Sequence, residues 1–242
     1  MQNAGFEACG LDWTYEILDV PGDQLAPAIE SLRTHDIAGA NVTIPHKVAV
    51  MEHLDRIDAD ALRAHAVNTI KHEAEHLVGY NTDVAGIRAA ADDVELNPRG
   101  ASVVVLGAGG SARAAAVALE GAHITFVSRH PDGVGEMPGK VLAWDDPSWP
   151  PLVRGADLLL NATPLGRREE MPLRPNALPT GGAVIDLVYV AGGTPLIRKA
   201  RSLGLRTVDG WRVLLVQGAR AFEIWTGRPG PLEAMKKGLE NE

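Results

Sequence analysis

The feature that narrows the possible folds of this chain furthest is a glycine-rich turn between two strongly patterned segments. Gly107, Ala108, Gly109, Gly110, Ser111 and Ala112 spell GxGxxA, with the β-branched run ASVVVL (101–106) before them and an alanine-rich segment (111–119) after. An apolar run that enters a helix through a tight glycine turn is the opening of a βαβ unit. The first glycine permits the turn, the second lets main chain approach a pyrophosphate, and Ala112 lets helix pack on strand. The helix N-terminus offers unpaired N–H groups to an anion. With strand, helix and next strand all in place, this segment is expected to bind a dinucleotide.

The runs HITFV (123–127), DLLLN (157–161), AVID (183–186) and 206–209, with a helix over 195–203, continue the alternation and predict a parallel, helix-covered sheet. The residue that follows the second strand selects the cofactor, because an acidic side chain there accepts from a ribose hydroxyl whereas an arginine meets a 2′-phosphate. Here the strand ends in Ser128 and Arg129, which favours NADP over NAD. Arg113 adds a second positive group nearby, and Asp132 opposes it.

Upstream, strand-like and helix-like stretches also alternate: 13–18, 24–35, 39–43 and 47–54. They predict a second parallel, helix-covered sheet. The turn formers VELNPRG (94–100) separate the two series, and the helical stretch 83–92 suits a connector. The apolar helix 213–225 needs a partner surface and is expected to return to the first domain. The predicted organisation is α/β with two domains: a substrate-binding domain of 1–82 plus 210–242, and a Rossmann-type NADP-binding domain of 83–209. Across 242 residues, 45% hydrophobic content is enough to build both cores. A net charge of -8 and a pI near 5.5 argue against a nucleic-acid partner. The single cysteine, Cys9, excludes an internal disulfide framework and a paired-cysteine metal site. No apolar run approaches the roughly 18 residues of a membrane span, and no signal peptide is visible, so a cytoplasmic address without membrane attachment is expected.

Three motifs in the first half carry polar chemistry. In GANVTIPHK (39–47) a strand leads to Pro45, which is positioned to open a helix with Lys47 in its first turn. A helix N-terminus disfavours the ammonium form, the direction that suits proton transfer. AVNTI (66–70) and GYNTDVAG (79–86) place Asn68 and Asp83 after short strand-like runs, so amine, amide and carboxylate could converge on one polar ligand.

NVTIPHK, AVNTI, GYNTD, VLGAGGSARA, NATPLG (161–166), DLVY (186–189) and VQGARAFEIWTG (216–227) occur here in the order found in shikimate dehydrogenases, and the chain resembles that family over nearly its whole length. The resemblance implies reversible, NADP-dependent reduction of 3-dehydroshikimate to shikimate in aromatic amino-acid biosynthesis, at a site in the cleft between the domains. It implies Lys47 and Asp83 as the catalytic pair, with Lys47 the acid/base and Asp83 its orienting partner. Thr43, Asn68, Gln217 and Tyr189 match substrate-binding positions. The glycine turn, Ser128, Arg129, Thr163, Val188 and Gly210 match cofactor positions. The expected partner is a small molecule, and the assembly could be a homodimer.

The pattern also departs from the family. The family opens with a strand and a serine pair that holds the substrate carboxylate, and this chain starts after both. Met1 is then either an internal methionine of a longer protein or the start of a truncated one. Unpaired sheet edges, exposed apolar surface and weakened substrate contacts are expected. Ser128 stands where the family usually has asparagine, Pro164 where a small hydroxyl residue is common, and Ala191 where proline is frequent. Three other readings follow: a catalytically impaired NADP-binding module, a quinate-preferring dehydrogenase, and a metalloprotease suggested by HEAEH (72–76), an HExxH pattern that would hold zinc only on a helix. The family places a hairpin there, and no metal is expected.

Overall fold

The computed structural model describes residues 1–34 and 36–240. The chain runs α1 (Gln2–Ala8), α2 (Leu25–Ser31), β1 (Gly39–Asn41), β2 (Arg56–Ile57), α3 (Ala59–Ala64), β3 (Thr69–Glu73), β4 (His76–Tyr80), α4 (Asp83–Asp93), β5 (Ser102–Leu106), α5 (Gly110–Ala118), β6 (His123–Ser128), β7 (Lys140–Ala143), α6 (Trp149–Arg154), β8 (Leu158–Asn161), β9 (Ala183–Asp186), α7 (Pro195–Ser202), β10 (Arg206–Val208), α8 (Gly210–Thr226) and α9 (Leu232–Glu240). Unit 1 comprises Met1–Ala85 and Leu215–Glu242, and unit 2 comprises Gly86–Leu214. The chain therefore passes between the units within α4 and again within α8.

Unit 2 holds a six-stranded sheet of order β10-β9-β8-β5-β6-β7 in which every pairing is parallel. Parallel strands covered by helices on both faces read as continuous apolar runs, and Val103 to Leu106 and Leu158 to Leu160 are buried throughout. The strand order reverses at β5, which runs directly into the glycine turn. In an open α/β sheet, such a reversal leaves a crevice at the carboxyl ends of the strands, where ligands bind. Beneath the sheet Leu106, Val127, Leu159, Val184, Leu196 and Ile197 form one apolar cluster.

Unit 1 departs from the expected parallel sheet. Its four strands lie in the order β1-β3-β4-β2, with β1 antiparallel to β3, β3 antiparallel to β4, and β2 alone parallel to its neighbour. The reason is the connection: only Ala74 and Glu75 separate β3 from β4, and a two-residue link can join only antiparallel strands. The HEAEH segment is this hairpin, so its two histidines lie on opposite strands with no helical spacing. Among the described residues no group of three or more His, Cys, Asp or Glu side chains could hold a metal ion.

Three further expectations change. Residues 13–18 form no strand, because the main chain of Tyr15 is taken by a side chain: its N–H donates to Asn3 Oδ1 (2.6 Å) and its carbonyl accepts from Asn3 Nδ2 (3.1 Å). The helix expected over 24–35 begins at Leu25, after a 3₁₀ turn over Gly22–Gln24, and ends at Ser31; residue 35 lies outside the described residues. The helix expected over 47–54 is a 3₁₀ turn, Ala49–His53, so Lys47 sits in the turn before it rather than inside a helix. The Ile44–Pro45 peptide is cis.

Residues 25–77 contribute a core that includes Leu25, Ile29, Val50, Val67, Ile70 and Leu77. A second cluster joins Phe6 to Phe222, Trp225 and Met235, fastening α1 to α8 and α9. The Trp225 indole N–H donates to the Ile70 carbonyl (2.8 Å), and a Cβ on Gly39 would lie 2.5 Å from that same nitrogen. Glycine at 39 is thus what lets helix and sheet meet. β1 stands at the sheet edge, and Ile17, Leu18 and Ile44 are exposed. Among the described residues no helix is long and apolar enough to cross a membrane.

Candidate active site

In unit 1 the polar residues singled out from the motifs meet at the ends of β3 and β4. Lys47 Nζ donates to Asp83 Oδ2 (2.6 Å), and Asn68 Nδ2 donates to Asp83 Oδ1 (2.8 Å). Asp83 opens α4, and Asn68 immediately precedes β3. The side chains of Lys47 and Asp83 are only 12% and 13% exposed, so removing either partner would leave a poorly hydrated charge.

Asn68 is itself fixed. Its Oδ1 accepts from the Thr82 N–H (2.7 Å) and from Thr69 Oγ1 (3.0 Å), which turns its amide nitrogen toward Asp83. Thr82 Oγ1 lies 3.2 Å from Gln217 Oε1 on α8, so Gln217 joins the same network. On the other side Asn41 Nδ2 donates to Thr69 Oγ1 (3.0 Å), and Tyr15 OH donates to Asn41 Oδ1 (3.1 Å). Motif reading missed Asn41, Thr82 and Tyr15. Thr82 sits inside the GYNTD motif, next to Asp83, which the motif did single out. Thr43 is exposed, one residue before the turn that carries Lys47.

Unit 2 carries the remaining positions. Gly107 has φ +107, a conformation that favours glycine, and a Cβ there would meet the Ala162 carbonyl oxygen at 3.1 Å. Gly109 caps α5 from the position just before it, and a Cβ on it would find nothing within 4 Å. Main chain at Gly109 and Gly110 can therefore approach a pyrophosphate, with the helix N–H groups of the following turn facing it. Ala112 is fully buried under the sheet. Arg129 is exposed after β6, while Ser128 is buried, its Oγ accepting from the His130 N–H (3.1 Å). Arg113 is engaged elsewhere: its guanidinium donates to the carbonyls of Val134 and Glu136 and so holds the loop that follows Arg129.

Thr163 Oγ1 donates to Asn161 Oδ1 (2.7 Å). Val188 is buried two residues beyond β9, and Tyr189, 41% exposed, packs on Trp211 with ring centroids 5.2 Å apart. Gly210 allows α8 to begin against the main chain of Val188, where a Cβ would come within 2.6 Å of its carbonyl carbon.

A parallel sheet with a glycine turn at its order reversal, paired with a separate unit bearing a lysine–aspartate couple, defines a two-domain, dinucleotide-dependent oxidoreductase. Comparisons with known proteins agree. The family described as the shikimate dehydrogenase substrate binding domain matches residues 1–70, and the shikimate 5′-dehydrogenase C-terminal domain matches residues 210–240. The shikimate dehydrogenase (NADP(+)) of Moorella thermoacetica is 40% identical over 255 residues, covering 99% of this chain and 86% of that protein. The Thermus thermophilus shikimate 5-dehydrogenase, solved with NADP(H) and shikimate, superposes with a TM-score of 0.87 at 32% identity, covering 99% of this chain and 92% of that one. A ligand-free 5-ketofructose reductase from Gluconobacter superposes with a TM-score of 0.83 at 36% identity, covering 99% and 91%. This chain belongs to the shikimate dehydrogenase family.

Proposed function

We propose that the protein catalyses the reversible, NADP-dependent reduction of 3-dehydroshikimate to shikimate, the step of aromatic amino-acid biosynthesis that its relatives are named for. The observation that carries the mechanism is the 2.6 Å contact between Lys47 Nζ and Asp83 Oδ2, with Asn68 closing the other carboxylate oxygen. NADPH, when bound, supplies the hydride to the ketone carbon. Lys47 gives its Nζ proton to the carbonyl oxygen as that oxygen gains charge, and takes a proton from the hydroxyl in the reverse direction. Asp83 keeps the lysine placed and balances its charge. Asn68 locks the Asp83 carboxylate in the plane that serves this purpose.

Thr43, Asn68, Gln217 and Tyr189 are assigned to the substrate's hydroxyls. The residues of unit 2 fit the cofactor: the 107–112 turn takes the pyrophosphate, Ser128 and Arg129 the 2′-phosphate side, and Thr163, Val188 and Gly210 the nicotinamide side. The reading also includes a cytoplasmic address and a homodimer, the latter to be tested by sedimentation.

The test is NADPH consumption with 3-dehydroshikimate by the wild-type protein and by Lys47→Ala. Lysine-dependent turnover is expected. NADPH binding without any turnover would favour a binding module. Faster turnover with the quinate-side substrate or with 5-ketofructose would reassign the substrate, the latter because the Gluconobacter reductase shares this fold at 36% identity.

A further inference from the structure

Unit 2 contains a carboxylate, the first residue of the DLVY motif, to which neither the resemblance nor the mechanism gives a role. Asp186, at the end of β9, is fully buried, and so are Asn161 at the end of β8 and Thr194 at the start of α7. Asp186 Oδ1 accepts from Asn161 Nδ2 (2.9 Å) and from the Val188 N–H (3.0 Å), and Oδ2 accepts from Thr194 Oγ1 (2.6 Å). None of these donors carries a charge. Burial accordingly pushes the Asp186 carboxyl up to about 6, against the three hydrogen bonds and with a smaller push from Asp209. A protein that needed only stability would do better with an apolar side chain at such a place.

The geometry shows what the carboxylate accomplishes. An ionised carboxylate can only accept hydrogen bonds, so Asn161 must turn its Nδ2 toward Asp186 and its Oδ1 away. That Oδ1 accepts from the Thr163 N–H (3.1 Å) and from Thr163 Oγ1 (2.7 Å), while Asn161 Nδ2 also donates to the Leu165 carbonyl (3.0 Å). Thr163 Cγ2 in turn lies 3.4 Å from where a Cβ on Gly107 would be. One carboxylate therefore sets Thr163 beside the glycine turn through Asn161, sets Val188 directly, and secures α7 through Thr194, whose Oγ1 caps the Ile197 N–H (3.2 Å).

We infer that Asp186 is a positioning residue for the nicotinamide cofactor, holding the loops after β8 and β9 in the arrangement that binds it. The inference rests on the cofactor reading above and adds to it a residue that touches no ligand. Buried groups that orient a binding loop commonly reduce stability in exchange for placement.

The deciding measurement pairs the Kd for NADPH with the melting temperature of the ligand-free protein at neutral pH, in wild type, Asp186→Asn, Thr194→Ser and Thr194→Val. Asp186→Asn keeps the shape but can present a donor where only an acceptor stood, so Asn161 loses its forced orientation. The expected result is a Kd raised about tenfold, the loss of one good hydrogen bond, with a melting temperature equal to or above wild type. Thr194→Ser should bind as wild type does, and Thr194→Val should lose affinity severalfold. Unchanged affinity in Asp186→Asn, or affinity lost in step with a lowered melting temperature, overturns the inference. If that variant does not fold, the serine and valine variants decide by the same two readings, and equal affinity in both overturns it. A wild-type protein that binds no NADPH would overturn the cofactor reading itself and this inference with it.

Discussion

The two units contain the same three-part device, an aspartate bound by an asparagine amide whose oxygen is held by threonine, and they differ in what takes the remaining carboxylate oxygen. In unit 1 Asp83 is bound by Asn68, which Thr69 and Thr82 orient, and the remaining carboxylate oxygen takes the Lys47 ammonium. In unit 2 Asp186 is bound by Asn161, which takes both polar groups of Thr163, and the remaining oxygen takes a neutral hydroxyl. In the proposed mechanism the charged partner makes the first a place where a proton can move. Without a cation, the second only holds main chain in place, and it does so at the cost of burying a charge. Whether a buried aspartate is machinery or scaffold is therefore decided by its fourth neighbour.

The largest effect that can break this comparison is the loss of the cation. Lys47→Ala should lower kcat by about 10³-fold, within the range set by a single general acid, and leave the Kd for NADPH within about twofold of wild type. Stopped-flow turnover and fluorescence titration read the two quantities separately. Asp83→Asn should come next, with kcat down by about 10²-fold, because the lysine loses its placement.

A smaller effect follows from the pH dependence of Asp186. The folded Asp186 carboxyl titrates near 6, above the roughly 4 of an unfolded chain. Its favourable contribution is therefore present in full below pH ~4 and is lost as pH rises through 6. At neutral pH the burial costs about 3 kcal/mol relative to the acid limit, as two pKa units imply. Melting curves between about pH 3 and about pH 7, about one unit beyond each end of the titration, should show this slope in wild type and a flatter profile in Asp186→Asn.

The smallest effect is at the surface of unit 1, where Arg33 pairs with Asp55 through 2.7 and 3.3 Å contacts. The guanidinium, with the Leu77 N–H, holds the Asp55 carboxyl down at about 2. Its contribution is present above pH ~4 and is lost as pH falls through 2, the opposite sign to Asp186. Both side chains are about a third exposed, so Arg33→Ala should change stability only slightly in a denaturant titration.

The sequence showed unit 2 more fully than unit 1, for a physical reason. Strands buried on both faces, such as β5 and β8, appear as unbroken apolar runs that few alternatives produce. The unit 1 strands are short and half-buried, and the strand-like run at 13–18 makes its main-chain hydrogen bonds to Asn3 instead of to a ladder. The parallel sheet expected there failed because periodicity carries no direction; the two residues between β3 and β4 carried it. Lys47, Asn68, Asp83 and Gln217 were legible because they sit in distinctive motifs, and the structure brings them into one network. Asp186 and Asn161 stood inside quoted motifs without a role, since an aspartate closing an apolar strand looks the same in sequence whether it faces solvent or core.

The Lys47 ammonium sets the first device apart from the second, and Lys47→Ala beside Asp186→Asn is the decisive pair, with kcat and the Kd for NADPH measured on both. Opposite signatures are expected: Lys47→Ala binds NADPH normally and turns over about 10³-fold more slowly, whereas Asp186→Asn binds NADPH weakly and regains most of its turnover at saturating cofactor. Equal losses of binding and turnover in both variants would contradict this.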